Sequence, residues 1–369
     1  MRRNFVYRLY PTKAQATAMR RTLNECRWLY NHLLEERKTA WEERQESLSY
    51  YDQSKALPPL KAERESLSTV NAQVLQNVAV RLDLAMQAFF RRVKAGEERV
   101  GYPRFRGEHR YDSFTFPQAP SGCKLVGKAL HLSKIGTVRV VLHRPLEGKP
   151  KTCCIRRSST GKWYATFSCE VSDVPLPKSS EQVGIDVGLT TFATLSNGET
   201  IANPRFFRTD EAALAKVQRR FAKEEKGTPE RRKRRKPVAR VHERIAFRRH
   251  NFVHQEARKI VNRFGLIAVE DLSINRMNKN HCLAKSIMDA SWSMFTSALR
   301  EKAACAVRSY AEVNPAFTTQ DCHRCGYRQA MKLADRVYRC PSCGLEMSRD
   351  HNAALNILAV GQHSMGVVP

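Results

Sequence analysis

The sequence predicts a multidomain chain that combines a mixed α/β part with a mainly β part. Three observations lead there. The 369 residues suffice for two or three domains with ample cores. Apolar residues recur at every second position in some stretches and at every third or fourth in others. Two C-x-x-C-G knuckles near the C-terminus mark a small metal-stapled unit.

Taken in order, residues 4–10 read as a short strand stopped by Pro11, and Thr12 caps a helix beginning near Lys13. Met19, Leu23, Cys26, Tyr30 and Leu33 place one apolar stripe along that helix. Residues 35–68 are charged and less periodic, and Pro58-Pro59 predicts a break there. A second helix is predicted over about 71–95, with Val74, Val78, Leu82, Ala85, Phe89 and Val93 buried. Gly101-Tyr102-Pro103-Arg104-Phe105-Arg106 closes the helical part as a basic, aromatic loop. Tyr102 and Arg104 suit base stacking and phosphate contact, though linkers share this composition. From about 111 to 172 the pattern is β. Trp163, Ala165, Phe167, Cys169 and Val171 alternate with polar neighbours, as do Val138, Val140 and Leu142. A small barrel or sandwich results, with the first strand belonging to it and the helices inserted.

Residues 175–180 read as a linker. In Gln182-Val183-Gly184-Ile185-Asp186-Val187-Gly188 the apolar residues alternate as in a strand, and Asp186 stands between glycines. Those glycines leave room for a hydrated metal or a phosphate backbone. The strand is expected to continue through 192–195 to a hairpin turn at Asn197-Gly198. Residues 205–249 are basic and helical around Arg231-Arg232-Lys233-Arg234-Arg235-Lys236, which reads either as a solvated face or as a phosphate grip. The helix resumes over 238–264, with Val241, Ile245, Phe252 and Ile260 buried.

Leu266-Ile267-Ala268-Val269-Glu270-Asp271 is an apolar run ending in acid, as expected of a strand covered on both faces. Glu270 would then emerge at the strand's C-terminal end, where open α/β sheets place ligands. Arg349-Asp350-His351-Asn352 opens a final helix and sets Asp350 at its N-terminus, where the dipole favours a carboxylate. Asp186, Glu270 and Asp350 can therefore converge. Each alone could be a cap or a surface ion pair. Together they suit Mg²⁺ or Mn²⁺, which want oxygen ligands. Two such ions about 3.5–4 Å apart activate water and stabilise the leaving oxygen of a phosphodiester.

The net charge of +28 points to a polyanionic partner. No run approaches the roughly 18 apolar residues of a membrane span, and no apolar core follows Met1-Arg2-Arg3 as in a signal peptide. Four of eleven cysteines cluster, as expected in a reducing compartment with one metal site. Cys322, Cys325, Cys340 and Cys343 suit closed, tetrahedral, structural Zn²⁺.

With these motifs assembled, the chain resembles the TnpB family of transposon-encoded RNA-guided DNA nucleases, relatives of type V CRISPR effectors. The resemblance rests on Arg8-Leu9-Tyr10-Pro11-Thr12 with Gln15, Arg27-Trp28-Leu29-Tyr30-Asn31 and Gly101-Tyr102-Pro103-Arg104-Phe105. It extends through Gly184-Ile185-Asp186-Val187-Gly188, Val269-Glu270-Asp271-Leu272, the four cysteines and Arg349-Asp350-His351-Asn352-Ala353-Ala354.

The resemblance implies an RNase H-like RuvC nuclease domain over 181–312 and 347–369, with a basic helical part at 205–262 and a zinc ribbon inserted at 313–346. It implies a wedge-like β-barrel domain over 1–12 and 109–176, holding a helical recognition domain at 13–108. Asp186, Glu270 and Asp350 match the catalytic metal-binding acids, and the four cysteines match the zinc ligands. Gln76, Asn77 and Thr115 match positions near the surface that reads a short transposon-adjacent motif. Arg231, Arg232, Arg234, Arg235, Arg248 and Arg249, with Tyr102 and Arg104, would grip nucleic acid. The implied cofactors are Mg²⁺ or Mn²⁺, Zn²⁺ and a guide RNA. The implied partners are an omega-type RNA from the transposon end, one protein per RNA, and double-stranded target DNA, with no membrane. The implied location is the bacterial or archaeal cytoplasm, at the nucleoid. The implied activity is endonucleolytic; a repressor that binds without cutting is the alternative. Ser348 stands where family members often carry an Asp.

Overall fold

The computed structural model describes residues 1–366 apart from positions 109 and 333, so position 109 of the β domain, position 333 of the zinc ribbon and the last three residues of the nuclease domain lie outside the described residues. The chain divides into two compact units, Met1–Ser172 and Asp173–Pro369.

The first unit opens with β1 (Arg2–Tyr10), whose Phe5, Tyr7 and Leu9 are buried on one face. Helix α1 (Lys13–Arg44) starts at Thr12 with a full capping box. The Thr12 N–H donates to Gln15 Oε1 at 2.9 Å, and the Gln15 N–H donates to Thr12 Oγ1 at 3.3 Å. The expected break at Pro58-Pro59 does not occur: both prolines lie inside α2 (Tyr50–Glu63). Two interior prolines cost a helix about 3 kcal/mol or more apiece. Burial of Leu57 and Leu60 on the flanking positions offsets part of that cost. Helix α3 (Ala72–Lys94) is capped by Asn71 and buries Val74, Val78 and Leu82 as expected. Its core then passes to Met86, and Val93 is 49% exposed, because the helix runs beyond the body it packs on.

The β part follows: β2 (Ser113–Phe116), the single turn α4 (Ala119–Gly122), β3 (Cys123–Val126), β4 (Ala129–Leu132), β5 (Gly136–Val141), β6 (Lys149–Arg157) and β7 (Trp163–Glu170). Together with β1 they form a seven-stranded antiparallel sheet in the order β2-β6-β7-β1-β5-β4-β3. The edge strands β2 and β3 are joined by α4 alone, and the sheet curls into a nearly closed barrel. Trp163, Ala165, Phe167 and Cys169 point inward, and one continuous buried cluster joins them to the helices.

The second unit is built on a five-stranded sheet ordered β10-β9-β8-β11-β12. Its strands are β8 (Gln182–Val187), β9 (Thr191–Leu195), β10 (Thr200–Ala202), β11 (Leu266–Glu270) and β12 (Ser309–Val313). Strand β8 ends before Phe192 and turns back into β9, so the expected single run is a hairpin. A second turn at Gly198, φ +87°, leads into β10. Strands β8, β11 and β12 are parallel. Between β10 and β11 lie α5 (Phe206–Ala222) and α6 (Pro229–Arg263); α6 carries the basic run without interruption despite Pro237. After β11 come the single turn α7 (Ile274–Met277), α8 (His281–Ala290) and α9 (Trp292–Cys305). The ribbon hairpin β13 (Val337–Arg339) and β14 (Glu346–Ser348) precedes α10 (Arg349–Ser364).

Helices α6 and α9 cover one face of the parallel strands, where Phe192, Phe252 and Phe295 meet edge to face at 4.9–5.0 Å. Helix α10 covers the other face, over Leu266, Ala268, Ala311 and Val313. That double cover is why β11 is apolar at every position before Glu270.

Candidate active site and metal centre

Strands β8 and β11 run parallel with Val269 opposite Ile185. One step further along, Asp186 and Glu270 leave neighbouring strand ends. Because side chains alternate, they share the face of Gly184 and Ala268, which is the face under α10. Asp350 lies in the first turn of that helix. Backbone geometry alone thus directs three acids toward one end of the sheet.

Their electrostatics record the convergence. Burial pushes the Asp186 carboxyl well above the usual carboxylate range, and the charges of Glu270 and Asp350 push it further. Arg349 and the Val187 backbone N–H oppose the shift. Burial also raises Glu270, against a hydrogen bond from Thr318. Asp350 Oδ1 accepts bonds from Arg349 Nη2 and Nε at 3.0 and 3.2 Å. Carboxylates brought together in this way, with Asp186 and Glu270 raised by burial, are a donor set suited to divalent cations. The three acids do not close on a single point within 4.8 Å; among the described residues only the cysteines do so.

The glycine beside Asp186 has another reason than the one expected. A Cβ at Gly184 would meet the Ala354 carbonyl oxygen at 2.1 Å and the Leu358 nitrogen at 2.5 Å. Its empty space is occupied by α10, not by a metal or phosphate.

Cys322 and Cys343 Sγ lie 3.7 Å apart, and Cys325 and Cys340 Sγ 3.5 Å apart. A tetrahedron with Zn–S near 2.3 Å requires sulfur spacings of about 3.8 Å, so the thiolates fit zinc. Gly326 and Gly344 take φ values of +75° and +71°, letting each knuckle fold back on its first cysteine. The Gly326 and Gly344 N–H groups donate to the Cys322 and Cys340 carbonyls at 2.8 and 3.0 Å.

The basic candidates divide by environment. Arg232 and Arg235 are exposed on α6. Arg231 donates to the Glu224 carbonyl and Arg234 to the Glu224 carboxylate at the α5–α6 turn. Arg248 and Arg249 face the buried acids Asp210 and Asp289, at 3.3 and 2.6 Å. They tie α6 to α5 and α8. In the first unit Tyr102 packs edge-on against Phe89 at 5.2 Å, and Arg104 is exposed. Asn77 and Thr115 are joined through Arg81, whose Nε donates to Asn77 Oδ1 at 3.1 Å and whose Nη2 donates to Thr115 Oγ1 at 2.6 Å. Gln76 is exposed beside them.

A family model described as a probable transposase matches residues 166–281, and one described as a Cas12f1-like TNB domain matches residues 292–357. A Streptomyces pristinaespiralis protein named as an RNA-guided DNA endonuclease is 36% identical, with 98% of this chain and 90% of that protein covered. This chain belongs to the TnpB family. An Escherichia coli (strain K12) protein named as the RNA-guided DNA endonuclease InsQ is 28% identical, with 97% of this chain and 92% of that one covered. The fold is similar to that in the cryo-EM structure of a Cas12f1–sgRNA–target DNA complex, at TM-score 0.56 and 14% identity over 94% of this chain and 83% of that one. A further model, described as a helix-turn-helix domain, matches residues 1–46. In this TnpB chain that stretch is one strand and one unbroken helix.

The sequence pattern does not reveal Arg81, Thr318 or the pairing of Arg349 with Asp350. Arg349 is a motif residue, and its adjacency to Asp350 is the one signal for that pairing. Arg81 and Thr318 act across the fold and leave no local signal. Asn352, fully buried on an otherwise apolar helix face, is the kind of polar exception that marks a specific partner.

Proposed function

We propose that this TnpB chain is an RNA-guided, metal-dependent endonuclease that cuts double-stranded DNA beside a short transposon-adjacent motif. In this reading Asp186, Glu270 and Asp350 form a RuvC-type site. The observation that carries it is the placement of Asp186 and Glu270 at two adjacent parallel strand ends beneath the helix whose first turn holds Asp350, in a chain of net charge +28.

Asp186 and Glu270 would hold the cations at the open end of the parallel strands, with Asp350 closing the site from α10. Bound divalent ions supply an activated water and stabilise the leaving oxygen of the phosphodiester. Arg349 would offset part of the acidic field around Asp186. The Cys322–Cys325–Cys340–Cys343 set would hold structural zinc and shape the ribbon that leads into α10. The exposed α6 arginines would grip guide RNA or the guide–target hybrid through phosphates. Gln76, Asn77 and Thr115 would read the adjacent motif, with Arg81 fixing two of the three. The guide would be an RNA from the transposon end, held by one protein. Among the described residues no helix is long and apolar enough to cross a membrane. The repressor reading is not favoured: the Streptomyces and Escherichia relatives carry endonuclease names, and the three acids are all present.

Purification with co-expressed native RNA, sequencing of that RNA, and cleavage of a plasmid library randomised beside a matching target test the proposal. D186A is expected to abolish cutting and leave guided binding intact. Unchanged cutting by D186A would remove this carboxylate from the mechanism.

A further inference from the structure

Among the described residues, Glu270 is the acid of the three that is gripped by a neutral side chain from a distant segment. Thr318 Oγ1 donates to Glu270 Oε1 at 2.6 Å across 48 positions of sequence, and Thr318 is 5% exposed. The same hydroxyl lies 3.1 Å from the Pro315 carbonyl. A hydroxyl has one proton, and the shorter contact to the stronger acceptor takes it. The bond engages Oε1 and fixes the rotation of the carboxylate, leaving Oε2 for another partner.

Thr318 is itself held by the helix that carries Asp350. Asn356 Nδ2 donates to the Thr318 carbonyl at 2.8 Å and to the Asp321 carbonyl at 2.7 Å. One turn earlier, Asn352 Nδ2 donates to the Asp321 carbonyl at 2.8 Å, and Asn352 Oδ1 accepts from the His323 N–H at 3.1 Å. Segment 318–323 leads into the first thiolate knuckle. A single buried polar network therefore runs from the ribbon to α10 and across to Glu270, setting two of the acids relative to each other.

We propose that Thr318 is a positioning residue: its hydroxyl presents the Glu270 carboxylate to the divalent cation. This rests on the nuclease reading above. A hydroxyl that only satisfied a buried carboxylate would affect stability; one that orients a ligand changes metal response.

The test compares T318V, T318A and T318S in the zinc-loaded full chain, with Mn²⁺ as the probe. Mn²⁺ binding is measured by electron paramagnetic resonance without RNA, and the Mn²⁺ dependence of cleavage is measured with RNA. In T318V and T318A, which lack the hydroxyl, both half-saturation values are expected to rise about 10- to 100-fold, with zinc content and melting transition retained. T318S restores the hydroxyl and brings both values back to within a few-fold of the parent. A parental Mn²⁺ response in T318V and T318A overturns the proposal, provided D186A is inactive in the same assay. Loss of zinc or of the melting transition together with the Mn²⁺ response makes the hydroxyl structural and also overturns it. Cutting by D186A would instead overturn the nuclease reading on which this one stands.

Discussion

Gly184 of β8 lies against Ala354 of α10 so closely that a methyl group on its Cα would meet the Ala354 carbonyl oxygen at 2.1 Å. The obstacle is helix backbone, which cannot rotate away as a side chain could. This close approach sets the height of α10 above the sheet, and with it the place of Asp350 relative to Asp186. G184A is expected to cost about 1–3 kcal/mol, the range for overpacking a core. For a unit of this size that lowers the melting temperature by roughly 2–4 °C per kcal/mol. Cleavage should fall further than stability does, because the displaced element carries one of the acids. Calorimetry and a cleavage assay on the same preparation check both parts.

The exposed α6 arginines give a prediction in salt. If Arg232 and Arg235 each neutralise one phosphate, R232Q/R235Q lowers the slope of log K against log salt by about 0.7–0.9 per phosphate no longer neutralised. R249Q behaves differently. Arg249 is paired with buried Asp289, so removing it leaves an uncompensated acid and lowers stability, with a smaller change in salt slope. Filter-binding titrations with guide RNA from about 50 to 300 mM salt separate the two patterns.

Removing the zinc should have a bounded effect. In small peptides such sites contribute up to ~10–16 kcal/mol of folding free energy, so the ribbon should loosen when C325S breaks the thiolate set. Hydrogen exchange is expected to rise in residues 318–345 and in the first turns of α10, which Asn352 and Asn356 tie to the ribbon. Residues 1–172 form a separate unit and should exchange as before. Exchange confined to the ribbon, with none at α10, would show that the asparagine links carry no mechanical coupling.

These contrasts also show which features local pattern exposes. The Thr12 helix cap, the alternation of Trp163 to Cys169 and the unbroken apolar run of β11 depend on neighbours in sequence, and each was legible. The knuckle spacing was legible for the same reason, since each cysteine pair and its glycine form one turn. Pro58 and Pro59 misled because packing of Leu57 and Leu60 overrides a local preference. Gly184 misled in the opposite sense: a glycine beside an acid looks like space for a ligand, yet the space holds a helix from 170 positions away. Thr318 was invisible because its partner is fixed by sheet register and helix packing, neither of which the residues around it encode.

The raised Asp186 carboxyl yields a prediction in pH. Without divalent cations, folded Asp186 keeps its proton to higher pH than in the unfolded chain, where a carboxyl of this type titrates near ~3.9. Between those two values the folded state binds more protons than the unfolded state, so stability falls as pH rises through the window. Above the window the ionised, largely buried carboxylate is a standing cost. D186N removes the charge with little change of shape. In buffer free of divalent cations at neutral pH it should therefore melt above the parent. Its stability should also depend less on pH, with the buried Glu270 keeping part of the slope. Millimolar Mg²⁺ should then stabilise the parent, by RT ln(1 + [L]/Kd), and leave D186N almost unmoved. The two proteins would thus exchange order on addition of the metal. Equal stabilisation of both by Mg²⁺ would show that the cation binds elsewhere, and a lower melting point for D186N would show that the acid is satisfied without any cation.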